Sequence, residues 1–281
     1  MLASSDDPPA VHPIQTSSVN DLLQVILLGI IEGITEFLPI SSTGHLLIAE
    51  QLGLGARSDL FNIVIQAGAI LAVTFIYWSR LWSLATGLTQ PENRDYVLKL
   101  GVAFLITVVL GLIVKKLGFK LPEEITPIAW ALIIGGVWML AAEWFAGQRP
   151  DRAQILWTVA IAVGIAQVVA GVFPGTSRSA STIFAAMLIG GASRAAATEF
   201  AFLVGIPTMY AASAYELYGE LKAGGGSENW GNVAVGFVVS AVVAFVAVKW
   251  LLRYIQTHRF TAFAVYRIAL GGALLGWVAT R

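Results

Sequence analysis

Two glutamates, Glu32 and Glu36, lie in an otherwise apolar stretch and are followed by Pro39, three hydroxyl residues and His45. An ionised carboxylate in hydrocarbon costs about 2.5–3.5 kcal/mol even on lenient insertion scales, so it is retained for a partner or a task. The one-turn spacing places both carboxylates on one face of a helix, and the proline then interrupts that helix. The segment Glu32–His45 therefore has the residue types of an active site.

A second polar segment, Pro174–Thr182 (PGTSRSAST), supplies a cation and more hydroxyl groups. Arg178 is a permanent cation whose planar guanidinium matches phosphate oxygens. Ser177 and Ser179 flank it, and in both segments we expect a helix to begin at the serines. A helix N-terminus has free N–H groups and partial positive charge, so it binds phosphate. We predict that Arg178, Ser177, Ser179 and Thr43 bind substrate phosphates.

The acidic pair and the imidazole complete a set of groups suited to phosphoryl transfer, where catalysis is mostly positioning and charge neutralisation. Glu32 and Glu36 are predicted to hold Mg²⁺ or Ca²⁺, which take oxygen ligands and share them with substrate phosphates. His45 is a candidate proton donor to a leaving phosphate oxygen.

Simpler structural roles stay open for several of these residues. An intramembrane glutamate can hydrogen-bond a neighbouring helix, and His45 can be a satisfied polar residue. Serine and threonine at helix starts are usually caps, which applies to Ser41, Thr43, Ser179 and Ser181. Glu199 is either functional or interfacial. Glu143 and Arg267 look interfacial or inter-helical and are not assigned a chemical role.

The composition predicts an integral membrane protein. Of 281 residues, 57% are hydrophobic and 12% are charged, against about 25% charged in soluble domains. Six stretches have the roughly 20 apolar residues that a membrane span needs: about 61–79, 97–117, 126–146, 197–217, 231–252 and 261–279. Two more regions, 20–53 and 154–190, are broken at Pro39 and at Pro174–Gly175. We therefore expect an all-α membrane protein with six transmembrane helices and two re-entrant helical hairpins.

The two broken regions resemble each other and predict an inverted repeat within one membrane domain, residues 20–281. Aligning Pro39 with Pro174 places Ser42 on Ser177, and the later sequences FNIVIQAG and TEFAFLVG also match. Repeat one would cover about 20–117 and repeat two about 154–252. Inverted repeats commonly place their site between them near the midplane, although two serine-rich breaks can also coincide by chance. Residues 1–19 are polar and proline-bearing, and we expect a disordered tail.

Charge sets expectations for orientation and partners. Seventeen basic residues balance seventeen acidic ones, so the composition gives no reason to expect nucleic acid as a partner. With both hairpins re-entrant, loops 80–99, 147–153, 191–196 and 249–260 share one side and carry nine lysines and arginines, against six on the side of both termini. This bias places the termini outside the cytoplasm. A homodimer is left open.

Glu32–His45 and Pro174–Thr182 resemble the two signatures of the undecaprenyl-diphosphate phosphatases, the bacitracin-resistance family. The resemblance extends through FNIVIQAGAILAV, TEFAFLVGIPTM and FTAFAVYRIALGG, and Ala180 replaces the usual glycine of the second signature. It implies an enzyme of the bacterial inner membrane that removes one phosphate from a C55 isoprenyl diphosphate for reuse of the lipid in cell-wall synthesis. It also implies a divalent cation and a site open to the periplasm.

By the same resemblance, Glu32 and Glu36 would form the acidic motif, Ser42 would be the nucleophile, His45 a catalytic imidazole and Arg178 the phosphate ligand. Whether Ser42 or a metal-bound water attacks phosphorus stays open. A type-2 phosphatidic-acid phosphatase also has a serine-arginine box, but the histidine that it needs five residues beyond the arginine is missing after Arg178.

A transporter or flippase of a phosphorylated polyprenyl lipid is the alternative function, since broken helices in inverted repeats are a transporter architecture.

Overall fold

The structure, a computed structural model, describes residues 18–118, 124–173, 175–222 and 229–280, and over these residues it is helical with short turns. Eleven α-helices lie in the described ranges: α1 Ser18–Thr35, α2 Ser42–Ala49, α3 Asp59–Ile76, α4 Trp78–Thr86, α5 Pro91–Lys116, α6 Ile125–Ala146, α7 Trp157–Val172, α8 Arg178–Gly190, α9 Arg194–Lys222, α10 Trp230–Thr257 and α11 Thr261–Ala279. The predicted all-α class is thus confirmed. The predicted tail falls mainly on residues 1–17, and this part and Pro174 lie outside the described residues.

Within the described ranges, six helices are long and apolar enough to cross a membrane, and each coincides with one of the six predicted spans: α3, α5, α6, α9, α10 and α11. The two broken regions form the pairs α1–α2 and α7–α8, each joined through a polar turn. We call the segment Glu36–Ser41 the first turn and the segment Gly175–Ser177 the second turn.

One expectation about the connections was wrong. The segment 80–99 is mostly helical instead of a loop, because α4 covers its beginning and α5 starts at Pro91. Proline is favoured at the first position of a helix, where its missing N–H has no intrahelical partner. Trp78 and Trp82 stack on the exposed side of α4 at 6.4 Å between ring centroids, which suits a membrane interface.

Glycines set the closest helix contacts, as expected where lipid removes the hydrophobic drive for helices to associate. A Cβ on Gly29 of α1 would lie 2.9 Å from the Gly236 carbonyl oxygen of α10, and one on Gly164 of α7 would lie 2.8 Å from the Ala103 oxygen of α5. Gly271 of α11 is equally close to the backbone of α6. Small residues therefore let these backbones touch.

The two hairpins meet inside the helix assembly. Helix α8 is almost entirely buried between α7, α9 and α6, and Ser179 Oγ donates a hydrogen bond to the Leu38 carbonyl of the first turn at 3.1 Å. Phe37 of that turn packs edge-to-face on Phe202 of α9. Both polar turns are thus held at the centre of the protein, where irregular backbone is tolerated because protein surrounds it.

Candidate active site

Each turn ends at a serine that caps the N-terminus of the following helix. Ser41 Oγ accepts from the Gly44 N–H at 3.4 Å at the start of α2, and Ser177 Oγ accepts from the Ala180 N–H at 3.2 Å at the start of α8. The predicted helix starts are confirmed. The caps equate Ser41 with Ser177, one residue away from the alignment on the prolines, so Ser42 corresponds to Arg178.

Ser41 carries backbone strain directly before Ser42. Its φ of 76° makes it the one non-glycine residue with positive φ in the described ranges, and such a conformation costs on the order of 1–3 kcal/mol. Strained residues of this kind concentrate at functional sites, where the surroundings hold them. Here the strain turns the chain so that Ser42 begins α2 facing Glu36.

The Glu36 carboxylate connects the two hairpins. Its Oε2 accepts hydrogen bonds from Ser42 Oγ and, at 3.5 Å, from Gln66 Nε2 of α3. Its Oε1 forms an ion pair with Arg178 Nη2 at the start of α8. The Glu36 side chain is 2% exposed and that of Arg178 is 29% exposed. One buried carboxylate thus binds a hydroxyl with one oxygen and a cation with the other.

These groups face a cavity of about 550 Å³. Five of the predicted site residues line it: Glu36, Ser42, Thr43, Ser177 and Arg178. Both helix N-termini border the same space, so free N–H groups and two positive dipole ends join the Arg178 guanidinium. The arrangement is suited to an anion with several oxygens, such as a diphosphate.

The remaining wall of the cavity combines apolar residues with several buried polar side chains. Gln66, Thr107 and Gln167 line it, and Gln167 Nε2 donates to Thr107 Oγ1 at 2.9 Å. Lys115 and Glu216, at the ends of α5 and α9, line the cavity as well and are 3.5 Å apart. Both of these side chains are exposed, so they mark the end at which the cavity meets the surface.

Glu32 does not line this cavity. It is fully buried on α1, one turn before Glu36, and its carboxylate lies within hydrogen-bonding reach of the Glu36 carboxylate. Neither of its oxygens meets an N–H or O–H donor in the described part of the chain. A buried carboxylate without a donor is expensive. With Glu36 and the Ser42 hydroxyl it offers oxygen ligands only, the donor set that Mg²⁺ and Ca²⁺ prefer. The donor set of the predicted pair thus suits a hard cation, although no cluster of three or more metal-binding side chains occurs among the described residues.

Ser179 and Ser181 do not line the cavity. Ser179 Oγ lies 2.9 Å from Ser177 Oγ and bonds the first turn, while Ser181 Oγ donates to the Ser177 carbonyl at 2.9 Å. These contacts are structural. The Ser179 hydroxyl does not line the cavity, so phosphate binding by Ser179 stays a prediction.

His45 is directed away from the cavity. Its Nδ1 lies 2.7 Å from the Ser41 carbonyl oxygen, to which it donates, and its Nε2 lies 2.7 Å from the Tyr266 hydroxyl of α11. The ring also stacks on Tyr266 and faces a separate apolar cavity. The structure therefore does not bring His45 to Glu36, Ser42 and Arg178, and its catalytic role stays a prediction.

Two further glutamates form ion pairs away from this cavity. Glu143 of α6 pairs with Arg194, and its side chain is 4% exposed. Glu199 of α9 pairs with Arg80 at 3.1 Å and accepts from the Tyr96 hydroxyl at 3.3 Å. Both belong to helix interfaces on the face where α5 and α9 begin.

Sequence reasoning missed two residues at the site. Gln66 lies in the apolar segment FNIVIQAG and contacts Glu36. The sequence signal that could have identified it is an amide side chain within a predicted membrane span. Arg267 of α11 is 1% exposed and donates to the backbone of both turns, to the Pro39 and Gly175 carbonyls. The sequence shows an arginine within the last predicted span, but not which groups it binds, because these are backbone carbonyls far away in sequence.

Comparison with known proteins covers nearly the whole chain. The family description "bacitracin resistance protein BacA" matches residues 25–273. A Rhizobium etli protein named undecaprenyl-diphosphatase is 69% identical over 261 residues, covering 92% of this chain and 98% of the relative. A Xanthomonas axonopodis pv. citri protein of the same name is 67% identical with the same coverage. The two polar segments that form the cavity lie inside the matched region.

Proposed function

The chain belongs to the bacitracin resistance protein BacA family, and on this premise we propose that it hydrolyses undecaprenyl diphosphate to undecaprenyl phosphate and inorganic phosphate. It is a multi-pass protein of the bacterial inner membrane, and its product is the lipid carrier that cell-wall synthesis reuses. The observation that carries the proposal is the Glu36 carboxylate, which holds a hydroxyl and a cation in one cavity. A binding protein for phosphate has no need of a base beside a hydroxyl.

Glu36 acts as the base for Ser42. A serine hydroxyl is a weak nucleophile until a neighbour takes its proton, and Ser42 Oγ already donates to Glu36 Oε2. The oxygen of Ser42 attacks the terminal phosphorus, the Oγ–P bond forms, and the bridging P–O bond breaks to release undecaprenyl phosphate. The proton moves to Glu36. Water then attacks the phosphoserine, inorganic phosphate leaves, and the serine regains its proton.

Arg178 and the two helix starts bind the diphosphate oxygens. The guanidinium pairs with Glu36, and its partial exposure to the cavity leaves room for a phosphate to share it. The N–H groups at Thr43 and at the start of α8 supply further donors. Because these groups are fixed before substrate binds, they stabilise developing charge without reorganisation.

Glu32 and Glu36 would hold the predicted Mg²⁺ or Ca²⁺. Such a cation neutralises phosphate charge when bound. Its place in the proposal rests on the unpartnered oxygens of Glu32 and on the all-oxygen donor set. Ser42 and Glu36 need no other group to exchange their proton.

The packing of the helices supports an inverted repeat of two re-entrant hairpins. Helix α1 packs on α10 as α7 packs on α5, and α3 packs on α10 as α9 packs on α5. Gly29 and Gly164 occupy matched contacts at the separation that relates Pro39 to Pro174. The cavity ends at Lys115 and Glu216, on the side that the loop charges place in the periplasm, so substrate reaches the site from that leaflet. A homodimer remains a prediction, to be tested by light scattering of the protein in detergent.

The test is phosphate release from undecaprenyl diphosphate by purified protein in detergent micelles. Hydrolysis needs no sealed bilayer, whereas the alternative function, transport of a phosphorylated lipid, does. We expect stoichiometric undecaprenyl phosphate and inorganic phosphate. Binding of the lipid without phosphate release at any cation concentration would contradict the proposal and favour a carrier.

A further inference from the structure

Arg267 is a buried cation with no chemical role assigned to it. Its side chain is among the largest that are fully buried, and the ion pairs of the described residues do not include it. A guanidinium in the interior of a membrane protein is expensive unless every donor finds an acceptor. Its position is therefore informative about what it holds.

All partners of the guanidinium are backbone carbonyl oxygens, and they come from three elements. Nη2 donates to the Gly175 oxygen of the second turn at 2.9 Å and to the Ala131 oxygen of α6 at 3.2 Å. Nη1 donates to the Pro39 oxygen of the first turn at 3.4 Å, and Nε donates to the Leu132 oxygen of α6 at 3.5 Å. One side chain thus binds both polar turns to a common support.

Neighbouring glycines make room for the guanidinium. A Cβ at Gly135 of α6 would collide with Nη2 of Arg267, so an alanine there would displace the guanidinium from its present position. Gly175 has φ of 85°, a conformation that favours glycine, and this conformation presents its carbonyl to Nη2. Gly271 lets α11 approach the backbone of α6 closely, which brings Arg267 within reach of the α6 carbonyls.

Each turn carries one half of the site. The first turn begins at Glu36 and ends directly before Ser42, and Pro39 lies midway between these two residues. The second turn ends directly before Arg178, which lies three residues after Gly175. We propose that Arg267 is a positioning residue that fixes the Glu36–Ser42 half relative to the Arg178 half. This inference rests on the proposed hydrolysis.

A positioning role predicts a particular kinetic signature. Each half alone still binds diphosphate in the ground state, but the transition state needs both halves in register. Displacement of catalytic groups by about 1 Å can reduce the rate by roughly a hundredfold. Loss of Arg267 should therefore lower kcat and leave KM nearly unchanged.

The experiment compares Arg267→Met, Arg267→Lys and Gly135→Ala with the parent in the detergent assay. We expect kcat to fall about a hundredfold for Arg267→Met and about tenfold for Gly135→Ala, with KM within threefold of the parent. Arg267→Lys should recover part of the loss, because its three donors can reach some of the same carbonyls. Gly135→Ala keeps the arginine and displaces it, so it tests the placement even where Arg267→Met does not fold.

Arg194→Met is the matched control, since it removes another arginine that contacts α6, through the Glu143 ion pair, but lies away from the cavity. It should lower the melting temperature with kcat within threefold of the parent. A kcat within threefold of the parent for Gly135→Ala and either Arg267 variant would overturn the proposal. So would kcat losses that track melting temperature equally in the Arg194 and Arg267 series. A parent without hydrolysis would instead refute the proposed function.

Discussion

Replacing Glu36 with glutamine separates the charge of this residue from its size. The carboxylate has two acceptor oxygens, one used by Ser42 and the other by Arg178. A glutamine has one acceptor and one NH₂ donor, so it can accept from Ser42 or from Arg178 but not from both. If the NH₂ meets Arg178, that hydrogen bond is lost; if it meets Ser42, the hydroxyl accepts instead of donating and its proton no longer points to residue 36. The variant therefore loses the carboxylate that accepts the proton, and either Ser42 or Arg178 is no longer held in its position.

The expected loss of rate follows from these two defects. General base catalysis contributes about 10²–10⁴-fold, and a misplaced Ser42 or Arg178 adds roughly another tenfold. We expect kcat to fall at least about a thousandfold, measured as phosphate release from undecaprenyl diphosphate in detergent at saturating Mg²⁺. A thousandfold corresponds to about 4 kcal/mol of transition-state stabilisation.

Stability should change far less, and the chain offers a matched control. Removing one partner of a fully buried ion pair costs about 3–5 kcal/mol, but solvent in the cavity reaches Arg178, so about 1–2 kcal/mol is expected here. The Arg194–Glu143 pair has the same arginine exposure, 29%, and a similarly buried glutamate. Glu143→Gln should thus lose comparable stability and keep its activity. A Glu36→Gln variant with more than a tenth of parental kcat, or an equally inactive Glu143→Gln, would refute the reasoning.

Three further predictions address the other groups of the cavity. Arg178→Lys should lower kcat/KM nearly as much as Arg178→Ala, by roughly a hundredfold for the loss of charge-assisted contacts worth about 3 kcal/mol; near-parental kinetics of the lysine variant would reduce Arg178 to a source of charge. Ser42→Ala should lose at least about a hundredfold, and rapid quenching of the parent with substrate labelled in the terminal phosphate should place label on Ser42; an active alanine variant would leave water as the attacking group. Excess chelator should stop turnover and added Mg²⁺ or Ca²⁺ should restore it, with Glu32→Gln raising the cation concentration for half-maximal rate; full activity in chelator would show that the acidic pair works without a cation.

Local signals were sufficient for the membrane spans and for the cavity-lining residues of the two polar segments. Apolar length predicted all six spans, and proline followed by serine predicted where α2 and α8 begin. The proximity of Glu36 and Arg178 was predicted from the similarity of the two breaks, because such breaks at membrane depth need each other or water to satisfy their polar groups. Periodicity failed for α4, which is short, amphipathic and interfacial, and therefore resembles a loop in composition.

His45 shows where local reasoning stops. It lies three residues after Ser42 on α2, a spacing that places two side chains on one face of a helix. Its ring nevertheless points to Tyr266, which is 221 residues away. The hydroxyl of α11 and the carbonyl of Ser41 together satisfy both ring nitrogens, and no pattern within the hairpin sequence contains that information.

Arg267 was visible in the sequence as an arginine within the last span, but its partners were not, because they are main-chain oxygens. Interrupting a helix leaves carbonyl groups without intrahelical donors, and at membrane depth water is not there to replace them. The two breaks that expose Ser42 and Arg178 to the cavity therefore also create carbonyls that need donors, at Pro39 and Gly175. A single guanidinium, with five N–H groups in a fixed plane, can satisfy both breaks at once. The same helix interruptions that expose the reactive groups thus create the need for the Arg267 guanidinium, which holds the Glu36–Ser42 half and the Arg178 half of the site together.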